Sequence, residues 1–105
     1  MDIRDTRYAR ATFLFDAGEH IAAARELVDI VADNPKSTDA RMLLARAYYH
    51  SAQLGRAEHE LRTIVAENPV DAYAQLLLGR TLQRQSRHDE AGTHLRLAGA
   101  MGVTI

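Results

Sequence analysis

The sequence predicts an all-α fold made of six helices in three antiparallel pairs, each pair a copy of the one before it. Three observations carry this. First, a block of positions recurs at one offset: Pro35 and Pro69 lie 34 residues apart, and the same spacing links Ala11, Ala45 and Gly79, then Ala23, Ala57 and Ala91, then Leu27, Leu61 and Leu95. Leu14, Tyr48 and Leu82 form a further set, as do Ile30, Ile64 and Ala98. Second, apolar residues fall at helical spacing, with no β-type alternation anywhere in the chain. Third, glycine and proline fall almost entirely at the expected helix ends. The 105 residues are read as one domain, with repeats of about 4–37, 38–71 and 72–105 and the middle copy, TDARMLLARAYYHSAQLGRAEHELRTIVAENPVD, the most complete.

The elements follow in order. Asp5 is placed to cap a first helix running to Asp16, with Tyr8, Ala11, Leu14 and Phe15 on its apolar side. Gly18 supplies the left-handed residue that helices often need to stop. A second helix is expected from about Glu19 to Asp33, its broad apolar face holding Ile21, Ala23, Ala24, Leu27, Val28, Ile30 and Val31. Asn34-Pro35 ends it, because proline disfavours helical geometry in the residue before it. Ser37 or Thr38 can cap the third helix, which runs to about Ser51 and carries Leu43, Leu44, Ala47 and Tyr48. The fourth, from about Leu54 to Glu67, carries Ala57, Leu61, Ile64 and Val65, and Glu58 and Arg62 can pair at i,i+4 on its exposed face. After Asn68-Pro69, Asp71 can cap a fifth helix holding Leu76, Leu77, Leu78 and Leu82. Ser86 followed by Asp89 resembles a capping box for a sixth, from about His88 to Met101.

Within each copy two small residues stand 12 apart: Ala11 and Ala23, Ala45 and Ala57, Gly79 and Ala91. Antiparallel helices approach to the short end of the usual range, roughly 8–10 Å, only where small side chains meet. This register resembles the tetratricopeptide repeat family, whose unit of about 34 residues places a bulky residue, Leu-Gly, Tyr, Ala, Phe and Pro at fixed offsets. The middle copy holds Leu44-Ala45, Tyr48, Ala57, Leu61 and Pro69 in those places; the third holds Leu78-Gly79, Leu82, Ala91 and Leu95. Arg7, Arg41 and Gln75 stand where the family often has Trp, Arg10 replaces the first copy's Leu, and Val103 the last proline. The resemblance covers residues 4–105 and implies a helical-repeat solenoid, a short right-handed superhelix with the first helix of each pair lining a concave face.

On that geometry the groove would present Tyr8, Thr12 and Phe15 from the first copy, with Asp5 and Asp16. The second copy would add Met42, Arg46, Tyr49 and His50, with Asp39; the third Tyr73, Leu76, Arg80 and Arg84, with Gln83. Tyr and Arg are the types that most often carry interface energy, and Met adapts to varied partners. The arginines suit a partner segment with acidic groups. The expectation is therefore a protein–protein interaction module or scaffold that holds a peptide or helix of a partner. Some family members clamp a chaperone's C-terminal carboxylate with Lys, Asn and Arg. The corresponding places here hold Tyr8, Thr12, Leu43, Tyr73 and Leu77, which cannot make such charge-assisted bonds, so chaperone-tail binding is disfavoured.

Enzyme chemistry is not expected. The five histidines (His20, His50, His59, His88, His94) show no i,i+4 pair, no H-E-x-x-H and no set converging on one face, so no metal site is expected. His20 and His88 share one inter-helix position and are assigned to packing. Glu58-His59-Glu60 and Asp89-Glu90 are read as charged clusters on solvent faces, with no nucleophile beside them. No glycine-rich phosphate loop occurs, and no cofactor is implied.

Composition bounds the rest. A hydrophobic share of 47% with 26% charged residues belongs to a globular chain, and a net charge of −1 argues against nucleic-acid or anionic-membrane binding through bulk charge. There is no cysteine for disulfides or thiolate metal sites. The start, MDIRDTRYAR, is too charged for a signal peptide and no run approaches the roughly 20 apolar residues of a membrane span, which makes the cytoplasm the expected location. Twelve Arg against the single Lys36 hint at a GC-rich bacterial genome. Leu97, Ala100, Met101, Val103 and Ile105 would leave part of the last repeat's packing edge uncovered, which fits either a homodimer through that end, the second expectation, or a piece of a longer repeat array. RNA binding is a more distant third: related RNA-binding repeats usually run about 35 residues with a basic groove, and only the third copy here is positive, its four arginines set against Asp89 and Glu90.

Overall fold

The computed structural model describes residues 6–103 and contains, among them, six α-helices and no strand. They are α1 (Thr6–Asp16), α2 (His20–Asp33), α3 (Thr38–His50), α4 (Leu54–Glu67), α5 (Ala72–Arg84) and α6 (His88–Ala100). They group into two compact units, one reaching Gln53 and holding α1–α3, the other beginning at Leu54 and holding α4–α6. In the first unit α2 packs on both α1 and α3; in the second, α5 packs on both α4 and α6.

The helix ends follow from local chemistry. Asn34 closes α2 with its backbone N–H and its side-chain amide both donating to the Ile30 carbonyl, each at 2.9 Å. Of the two candidates for the next cap, Ser37 serves: its hydroxyl accepts from the Ala40 N–H at 3.3 Å. Asp71 caps α5 in the same way, accepting from the Ala74 N–H at 3.0 Å. The proposed cap at Asp5 lies outside the described residues.

The turns that follow α1, α3 and α5 share one geometry. Gly18, Ala52 and Ser86, spaced by 34, all have positive φ, at 83°, 60° and 61°. In each turn that residue's N–H donates three residues back, to Phe15, Tyr49 or Gln83. The next N–H donates five back, to Leu14, Tyr48 or Leu82, at 2.8–3.0 Å. This is a Schellman motif, which satisfies carbonyls that a helix end leaves without partners. It corrects the expectation at Ser86. That residue is the left-handed turn residue, so no capping box forms, and α6 begins after Arg87 with no side-chain cap bond.

The core is the repeated set. Ala11, Ala23, Leu27, Ile30, Ala45, Ala57, Leu61, Leu78, Leu82, Ala91 and Ala98 are fully buried. Ile21 and Val28, expected on the apolar face of α2, are instead largely exposed, because Ala23, Ala24, Leu27, Ile30 and Val31 already fill the side that meets α1 and α3. In the second unit α5 and α6 approach closely at Gly79. A Cβ there would stand 2.6 Å from Leu95 Cδ2 and 3.3 Å from the Ala91 carbonyl oxygen, so the glycine is what admits the leucine.

The position where the family often has Trp is filled by polar reach in this chain. Arg41 donates to the Pro35 carbonyl at 3.0 Å and Gln75 to the Pro69 carbonyl at 2.9 Å, each tying a helix to the turn six residues before it. Gln75 is buried, and its amide oxygen meets His94 Nδ1 at 2.7 Å, linking α5 to α6. Arg7 instead pairs with Asp33 at 2.7 Å, fastening the start of α1 to the end of α2. Arg10, standing for the first copy's Leu, is exposed and pairs with Glu26 at 3.4 Å.

Candidate functional site

In the first unit, α1 and α3 gather most of the residues expected there into one aromatic and cationic cluster. The helical spacing of Tyr8 and Phe15 on α1, and of Arg46, Tyr49 and His50 on α3, puts them on facing sides. The Arg46 guanidinium lies 4.6 Å above the Phe15 ring centroid, within cation–π range. Phe15 meets the His50 ring edge-on at 5.8 Å, and Tyr49 meets His50 edge-on at 5.5 Å. Burial, with the Asp39 carboxylate nearby, pushes the Tyr8 phenol above its ordinary value, while the Arg46 guanidinium opposes that shift.

The sequence reading missed one member. His20, the first residue of α2, stacks on His50 with centroids 4.9 Å apart and meets the Phe15 edge at the same distance. The expectation that no histidines converge is therefore corrected for this pair. In the sequence His20 opens α2 and His50 closes α3, so periodicity within one helix carried no signal of their meeting. An open cleft of about 210 Å³ lies beside them, lined by Gly18, Glu19, His20, Ile21, His50 and Ser51. His20 Nδ1 and Arg46 Nε are both buried without a hydrogen-bond partner among the described residues. Of the remaining expected residues, Thr12 donates its hydroxyl to the Tyr8 carbonyl at 2.9 Å, and Met42 is half-buried.

In the second unit, α5 presents Tyr73, 45% exposed, with Arg80 half-buried and Arg84 exposed, while Leu76 is buried. At the end of α6, Leu97 and Ala100 are exposed, and Met101 and Val103 half-buried; Ile105 lies outside the described residues.

Of the charged clusters assigned to solvent faces, His59, Asp89 and Glu90 are indeed exposed, and the correction falls on Glu58. Glu58 is mostly buried and joins a closed ring of alternating charge across α4 and α6. Arg62 bonds Glu58 at 2.8 Å, Glu58 bonds Arg87 at 2.6 Å, Arg87 bonds Glu90 at 2.8 Å, and Glu90 returns to Arg62. Gln85 adds a donor to Glu58 at 3.1 Å. Burial works against ionisation of Glu58, but the bonds from Arg62, Gln85 and Arg87 prevail and hold its carboxyl below the usual range. Arg87 and then Arg62 do the same for Glu90. The packing role expected of His88 is also unfilled: it is exposed, unlike His20. Among the described residues no group of three or more His, Asp or Glu could hold a metal ion. None of the described helices is long and apolar enough to cross a membrane.

The profile of the tetratricopeptide repeat family matches residues 14–81, more than half of the chain. The chain belongs to the tetratricopeptide repeat family. Its repeats thus have the 34-residue register read from the proline, alanine and leucine sets, and such repeats generally act as protein–protein interaction modules, typically without enzymatic activity. Solved structures agree on the fold. A MamA point mutant matches at 16% identity and a TM-score of 0.88, over 98% of this chain and 77% of that one. A crystal structure of MamA matches at 22% identity and 0.87, over 93% and 57%. MamA from residue 41 to its end, from Desulfovibrio magneticus RS-1, matches at 23% and 0.83, over 90% and 54%. The chain thus spans little more than half the length of the latter two, and at these identities the likeness concerns the fold alone. No curated protein sequence matches the chain.

Proposed function

We propose that this tetratricopeptide repeat chain is a non-enzymatic interaction module that holds a peptide or helical segment of a partner protein. The contacts would come from Tyr8, Phe15, Arg46, Tyr49 and His50 in the first unit and from Tyr73, Arg80 and Arg84 in the second. The observation that supports this best is Arg46. Its guanidinium is fixed over Phe15, yet its buried Nε–H has no acceptor among the described residues. A buried donor left unmatched is costly, and an acidic or carbonyl group of a partner would satisfy it. Replacing Tyr49 and Arg80 together by alanine should abolish partner capture in a pull-down from native extract while helical circular dichroism stays intact. Unchanged capture would refute the assignment.

A second reading is self-association through the end of α6. Its support is the 46% exposure of Leu97 and a helix that buries only Ala91 and Ala98. Light scattering over a concentration series tests it: a rising mass that Met101→Asp suppresses is expected, and a strictly monomeric mass would remove it.

A further inference from the structure

The exposure of α1 departs from that of its two counterparts in a patterned way. Phe13 is 71% exposed, whereas the residues 34 and 68 further on, Ala47 and Thr81, are fully buried. Its neighbours on that side, Ala9 and Arg10, are exposed, while Leu43, Leu44, Leu77 and Leu78 in the same register are buried. The difference has a plain cause: α3 packs on α2 and α5 packs on α4, so in those helices this face is covered by the helix before it. The second helices show the complementary pattern. Val31 on α2 is 8% exposed and Leu27 fully buried against their neighbours, but on α6 the matching Gly99 is exposed and Leu95 only half-buried.

We infer that a second copy of this chain covers these faces head to tail, α6 of one protomer packing on α1 of the next as α2 packs on α3 within the chain. The inference rests on the second reading above, self-association, and adds its polarity and its other half. What points to a second copy is the matched change of bulk at the two faces. At position 13 a phenylalanine ring replaces the methyl of Ala47 and the small Thr81. On the opposite face glycine at 99 replaces the valines at 31 and 65, and glycine at 92 stands where Ala24 and Glu58 do. Volume is added to one face and removed from the other, which preserves a filled interface only if the two faces meet. Such a contact is heterologous: its two sides differ, so it does not close in a dimer and association continues with concentration.

Complementation tests the polarity. Phe13→Lys places a charge at an exposed site on α1, and Gly99→Arg places one on α6, where a Cβ meets nothing within 4 Å. Both variants should keep wild-type helicity. In sedimentation velocity, wild-type chain should grow beyond a dimer as concentration rises, each variant alone should stay monomeric, and their equimolar mixture should form a 1:1 dimer. In that dimer the intact α6 of the Phe13→Lys chain meets the intact α1 of the Gly99→Arg chain. A wild-type chain that is monomeric throughout would overturn this inference together with the self-association reading. A discrete dimer lost in Met101→Asp but unchanged in Phe13→Lys would overturn the head-to-tail arrangement alone, as would a mixture that fails to pair while wild type associates.

Discussion

Ala52 and Ser86 hold a backbone conformation that side chains resist, at the position where the first repeat has Gly18. A left-handed residue with a Cβ costs roughly 1–2 kcal/mol, and glycine loses part of that gain through its freer unfolded chain. Ala52→Gly should therefore raise stability by about 0.5–1 kcal/mol, read as a higher midpoint in urea with an unchanged slope. Gly79 shows the opposite case. Alanine stands at the matching places 11 and 45, so Gly79→Ala looks like a harmless consensus change that favours the helix by about 1 kcal/mol. The Leu95 Cγ lies 2.7 Å from where the new Cβ would sit, so rotation about χ2 alone cannot clear it. Overpacking of this kind costs about 1–3 kcal/mol, and the net effect should be destabilising in thermal melts.

Between helices, the ring of Glu58, Arg62, Glu90 and Arg87 joins residues 28 and 29 positions apart. Removing one charge leaves its partners facing like charges, so Glu58→Gln should lower the melting temperature at low salt, and the deficit should shrink as salt screens the ring. Little of this was legible beforehand. Periodicity reports which side of one helix is apolar, and so it located the core alanines and leucines; cap chemistry pointed to Asp71 and narrowed the other cap to Ser37 or Thr38, and the two Asn-Pro pairs marked the ends at Asn34 and Asn68. It does not report which long side chains meet across two helices, because that depends on rotamers and on the approach of the backbones. Glu58 in the ring, His20 on His50 and the buried Gln75 all belong to that class. Ser86 was a different kind of miss. Counting 34 and then 68 on from Gly18 reaches Ala52 and Ser86, so the register itself held the information, and the local cap signature competed with it. Ala57, fully buried as its place in the register implies, should lose about 1–3 kcal/mol on replacement by leucine.

At the scale of the whole chain, two sets of protons should divide the acid response. Burial, helped by the Arg62 charge and opposed by Glu90, lowers the pKa of His94, whose Nδ1 meets Gln75. An unfolded histidine then takes up a proton that the folded one refuses, so stability is lost as pH falls from about 6.5 through the lowered value. Glu58 and Glu90 sit below the usual carboxylate range, so their contribution holds above it and is lost only at lower pH, as they take up protons. Melting temperature should therefore fall in two stages, and His94→Gln should flatten the first while leaving the second. A single-stage profile unaltered by that substitution would contradict the assignment. The three like turns at 18, 52 and 86 also make the chain extensible. A duplicated block of residues 19–52 would enter and leave through the same backbone path that the native chain uses. The seams of such a chain would demand no new geometry, and its length could be set in whole repeats.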